Sequence, residues 1–285
     1  MRVAVIQMNA AGERDDNLAR AIRLIERAAR KGAQLVLLPE YATYSGRYEH
    51  LAAVAETISG PTTEQFAACA RQHGIYLHTG SLIERSPAAD RFYNTSLVFD
   101  PQGALIAAYR KVHLFDVEIP GLVSEHESRA ILPGDTLCLA QLPELVLGLS
   151  LCFDLRFPEM YRQMALAGAE AFAVPAAFTR ATGRAQHWEV LLRARAIENH
   201  AYVLAAAQYG RDAAGRWRYG NSMIVGPWGE VLAAAPEEGE HVLIADVQRT
   251  LVHRRRREMP VLGLRRPDAY ATLGEQLGSL RAGAP

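Results

Sequence analysis

The chain repeats itself, and the repeat limits its possible folds more than any other feature. Gly32-Ala33-Gln34, four apolar residues and Pro39 return later as Gly168-Ala169-Glu170, four apolar residues and Pro175. Each copy spells a helix end, a strand and a stop, since a short apolar run fenced by Gly and Pro suits a strand covered on both faces. A second echo matches Val98-Phe99-Asp100-Pro101-Gln102-Gly103-Ala104-Leu105-Ile106-Ala107 with Ile224-Val225-Gly226-Pro227-Trp228-Gly229-Glu230-Val231-Leu232-Ala233. Both read as hairpins with the same turn punctuation.

Around these echoes the pattern predicts a strand over Arg2 to Met8, then a helix capped by Asp15 or Asp16. That helix carries Leu18, Ala21, Ile22, Ile25 and Ala29 on one face and ends at Gly32. A second helix starts near Thr62, with Gln65 as capping-box partner and with Phe66, Ala67, Cys69 and Ala70 turned inward. Strands follow at Ile75 to Leu82, Phe92 to Phe99 and Ala104 to Tyr109, with Glu84 to Asp90 as a surface hairpin loop. Two β-α-β-plus-hairpin halves, each with helices on one sheet face, can bury their bare faces against each other. The expected architecture is therefore an α/β four-layer α-β-β-α sandwich. With no linker or low-complexity tract before a tail at about residue 260, residues 1–285 are read as a single domain.

Composition narrows the partners. Lys plus Arg number 31 and Asp plus Glu 31, so no net field favours nucleic acid or an anionic membrane, and a small-molecule partner is expected. Three Cys, odd and sparse, argue against a disulfide framework and for a reducing compartment. Met1 to Met8 is too short for a signal peptide or membrane span, so a cytoplasmic soluble protein is expected. The run Arg254 to Arg257 falls in a helix beginning near Gln248 and reads as a solvated face or a subunit contact. His and Cys lack ligand spacing, so neither a metal nor a cofactor is expected.

Three positions share one description, a polar residue where an apolar strand stops. Glu40 follows Leu35 to Pro39, Lys111 follows Leu105 to Arg110, and Cys152 follows Leu145 to Leu151. Ligands in open α/β sheets lie beyond the carboxyl ends of strands, and Glu40 and Cys152 occupy that end in the two related halves. A thiol with a pKa near ~8.5 is mostly protonated at neutral pH, so a nucleophilic Cys needs a base or a cation. Glu40 can take the proton and later return it to a departing amine. Lys111 and the backbone N–H of Phe153 can hold the oxyanion formed when Cys152 attacks an amide carbonyl.

These residues resemble the carbon-nitrogen hydrolase (nitrilase) superfamily, through Leu37-Leu38-Pro39-Glu40, Tyr109-Arg110-Lys111-Val112-His113-Leu114-Phe115-Asp116 and Cys152-Phe153-Asp154-Leu155-Arg156-Phe157-Pro158-Glu159. The resemblance runs from residue 2 to about Tyr270. It implies a Glu-Lys-Cys triad on an α-β-β-α sandwich, a thioester intermediate, no cofactor, and a homodimer or higher homo-oligomer. A second glutamate that holds the Lys is also implied; Glu127 matches best, with Glu125 competing. Phe153-Asp154 after the Cys, where true nitrilases carry Trp-Glu, points away from nitriles. The segments Phe115 to Gly121, His187 to Glu198 and Ala205 to Gln208 are similar to the deaminated-glutathione amidase subgroup, whose neighbours are omega-amidases acting on 2-oxoglutaramate. The implied substrate is a small 2-oxo acid with a distal amide that is released as ammonia; another small aliphatic amide or an N-carbamoyl compound is the alternative. Its carboxylate calls for a cation, and Arg180, after Ala176-Ala177-Phe178-Thr179 in the loop paired with Glu40 by the repeat, is the candidate, with Phe153, Phe178 and Thr179 beside it.

Two rival readings use fewer of these residues. A Cys-His hydrolase would draw on His113, two residues beyond Lys111, or His187, although structural hydrogen bonding is the expected role of both. A non-enzymatic redox-sensing or ligand-binding thiol protein needs only Cys152 and Lys111. It leaves Glu40 without a role.

Overall fold

The computed structural model describes residues 1–271, so part of the expected tail lies outside the described residues. The first half runs β1 Arg2–Gln7, α1 Arg14–Arg30, β2 Leu35–Leu37, α2 Leu51–Val54, α3 Pro61–His73, β3 Tyr76–His78, β4 Leu82–Arg85, β5 Phe92–Phe99 and β6 Leu105–Arg110. A ribbon of β7 Asp116–Ile119 and β8 Val123–His126 follows. The second half runs β9 Cys138–Leu142, β10 Leu145–Leu149, α4 Pro158–Leu166, β11 Ala171–Ala173, α5 Arg180–Arg184, α6 His187–Asn199 and β12 Tyr202–Ala205. It continues through β13 Tyr209–Arg211, β14 Trp217–Tyr219, β15 Met223–Val225 and β16 Val231–Ala234 to β17 His241–Asp246 and α7 Arg249–Glu258.

The echo in the letters is an echo in topology. In the first sheet the parallel strands β1, β2 and β3 are flanked by antiparallel β17 on one side and the β5–β6 hairpin on the other. In the second, parallel β10, β11 and β12 are flanked by antiparallel β9 and the β15–β16 hairpin. Even the irregularities correspond. The ladder slips between Val98 and Phe99 in one hairpin and between Ile224 and Val225 in the other. The turns close on Gly103 and Gly229 at φ 78° and 84°, where only glycine is unstrained.

Side-chain alternation builds the layers. Val3 and Val5 of β1, with Leu35 and Leu37 of β2, pack in one cluster with Leu147 and Leu149 of the other sheet. Ala4 and Ile6 point the opposite way, into a cluster with Leu18 and Ile25 of α1 and Phe66 and Cys69 of α3. Tyr161 of α4 and Trp188 of α6 cover the outer side of the second sheet. Each fully buried Val or Leu contributes roughly 2 kcal/mol, so a one-residue slip of any inner strand is strongly opposed. The fold is the α-β-β-α sandwich.

Several local expectations change. Helix α1 starts at Arg14, which places Asp15 and Asp16 inside its first turn rather than at its cap. Gln65 forms no capping box, because Glu56 accepts from the Thr62 N–H at 2.9 Å and its hydroxyl at 2.7 Å. The expected loop from Glu84 begins later, since Glu84 and Arg85 belong to β4 and Glu84 is buried against Arg110 and Thr95. The basic run is no mere solvated face either. Arg256 donates to the carbonyls of Ala169 and Asn199, and Arg249 and His253 of the same helix grip buried Glu170.

The strand expected over Ile75 to Leu82 is broken, and the break serves the site. Gly80 adopts φ 70° and lies so close to the Pro39 carbonyl that a Cβ would sit 1.9 Å from its oxygen. The kink turns Ser81 so that its Oγ accepts the N–H of Tyr41 at 2.9 Å, fixing the backbone beside Glu40. Gly80→Ala should therefore lower stability by about 2 kcal/mol or more and shift the Glu40 turn. Urea denaturation reads the loss, and an unchanged midpoint would refute this packing account.

Candidate active site

Glu40 leaves the first sheet just after β2, where Pro39 prevents the strand from continuing. Its backbone carbonyl accepts from Gln208 Nε2 at 3.0 Å, and Gln208 also reaches Tyr41 O at 3.3 Å. The carboxylate is fully engaged. Oε1 accepts from Lys111 Nζ at 3.0 Å and Asn94 Nδ2 at 2.9 Å, and Oε2 accepts the Ala177 N–H at 2.8 Å. The last bond crosses from one half of the repeat to the other.

Lys111 is set by sheet register. Thr95 pairs with Arg110, and the next residue, Lys111, donates its N–H to Asn94 O at 2.9 Å. Its side chain is only 2 % exposed and its ammonium spans two carboxylates, Glu40 and Glu127, whose side chains are each 1 % exposed. Glu127, in the turn after the ribbon, receives Lys111 at 2.8 and 3.0 Å, the Tyr41 hydroxyl at 2.8 Å and the Phe115 N–H at 2.7 Å. Glu125, its sequence competitor, is drawn away to Arg216 at 2.9 Å.

Cys152 sits at φ 46°, a left-handed conformation costing a non-glycine residue roughly 1–3 kcal/mol. Neighbouring bonds hold it there. The Cys152 N–H donates to Pro175 O at 2.8 Å, and Arg195 of α6 donates to Leu155 O at 2.8 and 3.1 Å. Buried Asp154 accepts the Leu151 N–H at 2.8 Å, the Tyr109 hydroxyl at 2.7 Å, and the N–H and Nδ1 of His113 at 3.0 and 2.8 Å. This one carboxylate thus ties the Cys152 turn to the segment carrying Lys111. Sharp strand-to-helix turns of this kind push a nucleophile out from a sheet end. Among the described residues, no acceptor meets the Phe153 N–H.

The charges around the sulfur favour a neutral thiol at rest. Burial first, then the hydrogen-bonded Glu40 carboxylate, holds Cys152 well above the ordinary thiol range, with Lys111 pulling the other way. Burial alone would discharge Lys111, but the attraction of Glu127 and Glu40 outweighs it and raises its pKa. Burial also opposes the charge on Glu127, yet Lys111, helped by the hydrogen bonds from the Phe115 N–H and the Tyr41 hydroxyl, keeps its pKa low. Such an arrangement can pass a proton from thiol to Glu40 as the sulfur attacks, while Lys111 and the Phe153 N–H face the new oxyanion.

These groups open into a cavity lined by Glu40, Lys111, Glu127, Cys152, Phe153, Phe178 and Thr179. Arg180 does not join them. It pairs with Glu237, stacks on Trp217 and lines a separate cleft. Besides Lys111 and Arg218, which are ion-paired, the cavity is lined by Arg156, held over the rings of Phe178 and Phe153 at 5.3 and 5.9 Å and bonded to His187 Nδ1 at 3.2 Å. No carboxylate pairs with it among the described residues. His113 is turned to Asp154 and stacked on Phe157 at 3.6 Å between centroids.

The sequence reading gave no role to Asn94, Asp154 or Arg156. Asn94 opens a polar stretch, Asn94-Thr95-Ser96, inside the strand Phe92–Phe99, and only the structure shows that all three are buried. Asp154 and Arg156 stand within the Cys152 segment, but nothing in their spacing tells which faces the cavity. Among the described residues no cluster of His, Cys, Asp or Glu is set to hold a metal ion, and no helix is long and apolar enough to cross a membrane.

Comparison with known proteins identifies the family. Residues 2–257 match the carbon-nitrogen hydrolase family. Human deaminated glutathione amidase is 41% identical over 283 residues, covering 96% of this chain and 85% of that protein. The human omega-amidase is 38% identical over 270 residues, covering 95% of this chain and 96% of that protein. The crystal structure of Saccharomyces cerevisiae Nit3, a member of branch 10 of the nitrilase superfamily, aligns with a TM-score of 0.82 at 32% identity, covering 92% of this chain and 94% of that one.

Two measurements check the electrostatics. Glu40→Gln removes the negative charge beside the sulfur, so its thiolate should form at lower pH than in the parent, followed by thiolate absorbance against pH. A shift upward would mean that the carboxylate does not face the thiol. Glu127→Ala, which strips Lys111 of a buried partner, should cost about 3–5 kcal/mol in denaturant unfolding, and a loss below about 1 kcal/mol would contradict the buried-pair account.

Proposed function

The chain belongs to the carbon-nitrogen hydrolase family, and from that premise we propose that it is a cysteine-dependent amidase acting on the distal amide of a small 2-oxo acid. The observation that carries the reading is the convergence of Cys152, Glu40 and Lys111 in one buried pocket, with a guanidinium, Arg156, on its wall that meets no carboxylate among the described residues. Glu40 is the base. It takes the thiol proton as Cys152 Sγ bonds to the amide carbon, and the oxyanion is held by Lys111 and the Phe153 N–H. Glu40 then gives that proton to the amide nitrogen, the C–N bond breaks, and an amine and a thioester result. Water, deprotonated by Glu40, attacks the thioester; the acid leaves and the thiol is restored.

Arg156 is the cation for the substrate carboxylate, the role first sought at Arg180. Phe178 and Thr179 line the acyl part. A redox-sensing thiol would leave unexplained why Glu40 accepts three hydrogen bonds beside the sulfur. The relatives named above act, by their names, on deaminated glutathione and on omega-amides, and both are distal amides of 2-oxo acids. A homodimer is part of the same reading, with exposed Val190 and Ile197 of α6 offering apolar surface to a second copy.

An assay of 2-oxo acid and amine release over a panel of amides tests the proposal. Cys152→Ala should abolish turnover, and Glu40→Gln should lower it by about 10²–10⁴-fold. Arg156→Gln should lower kcat/KM for carboxylate-bearing amides about a hundredfold while sparing uncharged ones. Activity that survives Glu40→Gln would remove the base assignment, and a panel with no turnover would remove the enzyme reading.

A further inference from the structure

Helix α6 grips the Cys152 turn at two successive residues. Arg195, buried within the helix, donates to the carbonyl of Leu155 at 2.8 and 3.1 Å, and His187, the first residue of the helix, meets the side chain of Arg156. The first contact holds backbone. The second holds the guanidinium that lines the reaction pocket. His187 itself does not line the cavity that contains Cys152, so it is not placed to take the thiol proton. Among the described residues its ring is bonded to Arg156 alone.

The chemistry of the pair fixes its hydrogens. A guanidinium has donors and no acceptor, so His187 Nδ1 must receive a hydrogen from Arg156 Nη1, and the ring is the uncharged form with its proton on Nε2. With Nη1 engaged in this way, the Nε–Nη2 edge of Arg156 is left without a partner among the described residues, and that edge is a fork that takes a carboxylate side-on. The corner that carries the histidine is stiff. Gln186, before it, sits at φ 65°, a left-handed conformation strained for a residue with a side chain, and its N–H donates to Gly183 O at 2.9 Å. Gly183 is pressed so closely on β14 that a Cβ would lie 2.1 Å from the ring of Tyr219. Trp188, after it, is fully buried, donates Nε1 to Asn221 O at 2.8 Å and packs on Phe178 at 4.9 Å between centroids. An exposed imidazole is thus fixed from both sides, and its anchor touches one of the two rings beneath Arg156.

We propose that His187 is a positioning residue that sets substrate preference: by holding Nη1 it turns the Arg156 guanidinium so that the Nε–Nη2 edge meets the carboxylate of the 2-oxo acid. The inference rests on the reading of Arg156 given above and adds the residue behind it. Attraction to a ring face depends on how near the cation lies and not on how it is turned in its own plane. Phe178 and Phe153 therefore settle where the guanidinium sits, and the bond to His187 stops it from spinning there. Without that bond the positive charge remains, but each carboxylate must pay in orientation for its two hydrogen bonds. The carboxylate is held alike before and during bond breaking, so the loss falls on KM.

The test follows ammonia release from two amides, 2-oxoglutaramate and 4-oxopentanamide, which has a methyl group where the first has its carboxylate. The ratio of their kcat/KM values reads the Arg156 contact and cancels any change common to both. His187→Ala should lower that ratio about tenfold, through a higher KM for 2-oxoglutaramate. An Asn side chain can place its Oδ1 where the imidazole has Nδ1, whereas a Gln side chain reaches the Nε2 position; His187→Asn should therefore restore most of the ratio and His187→Gln should not. A ratio that His187→Ala leaves intact, because neither amide slows or because both slow equally, overturns the proposal, as does rescue by Gln equal to that by Asn. If Arg156→Gln lowers the ratio while His187→Ala does not, the role of Arg156 stands and that of His187 falls alone. If Arg156→Gln leaves the ratio unchanged, both roles fall together, and a parent that turns over neither amide removes the amidase reading with them.

Discussion

Everything in the site depends on one buried ammonium between two buried carboxylates. Taking three charged groups out of water costs several kcal/mol each, and only close geometry and additional hydrogen bonds offset that cost. Lys111 meets Glu40 at 3.0 Å and Glu127 at 2.8 Å, and both acids receive further donors from Asn94, Ala177, Tyr41 and Phe115. Burial first, then the Glu40 carboxylate, outweighs the pull of Lys111 and keeps the adjacent thiol protonated until a substrate carbonyl arrives to take up the electron pair.

Placing those groups falls to the two related halves. The strand ends after β2 and β11 face each other across the sandwich, so the Glu40 carboxylate from one half reaches the Ala177 N–H of the other, and Pro175 O receives the Cys152 N–H. Asp154 then fastens the Cys152 turn to the end of β6. Three separate stretches of chain are held together by backbone bonds and one buried acid, the fixed arrangement that a reacting constellation needs.

Much of this was legible in the letters. Two apolar runs fenced by Gly and Pro, and two hairpins with matching turns, carried the layer architecture, because buried parallel strands leave a continuous apolar signature. The strand-end positions of Glu40, Lys111 and Cys152 were readable for the same reason. What was not readable depended on direction rather than spacing. Arg156 lies on the short turn after β10 and Arg180 opens α5, and only the path of the chain there decides that one faces the cavity and the other a neighbouring cleft. The break at Gly80 was hidden too, since a strand pattern does not reveal that Pro39 passes within contact of it.

Strand β17 pairs with β1 from Arg2 opposite Asp246 to Gln7 opposite His241. The first strand of the described chain is therefore completed by the last. Until β17 pairs with it, that side of β1 is an unpaired apolar edge, the kind of surface that invites wrong partners. Closing it joins Arg2 to Asp246, 244 positions apart, and pairings so distant in sequence form slowly. The final sealing of the first sheet is therefore a late step of folding.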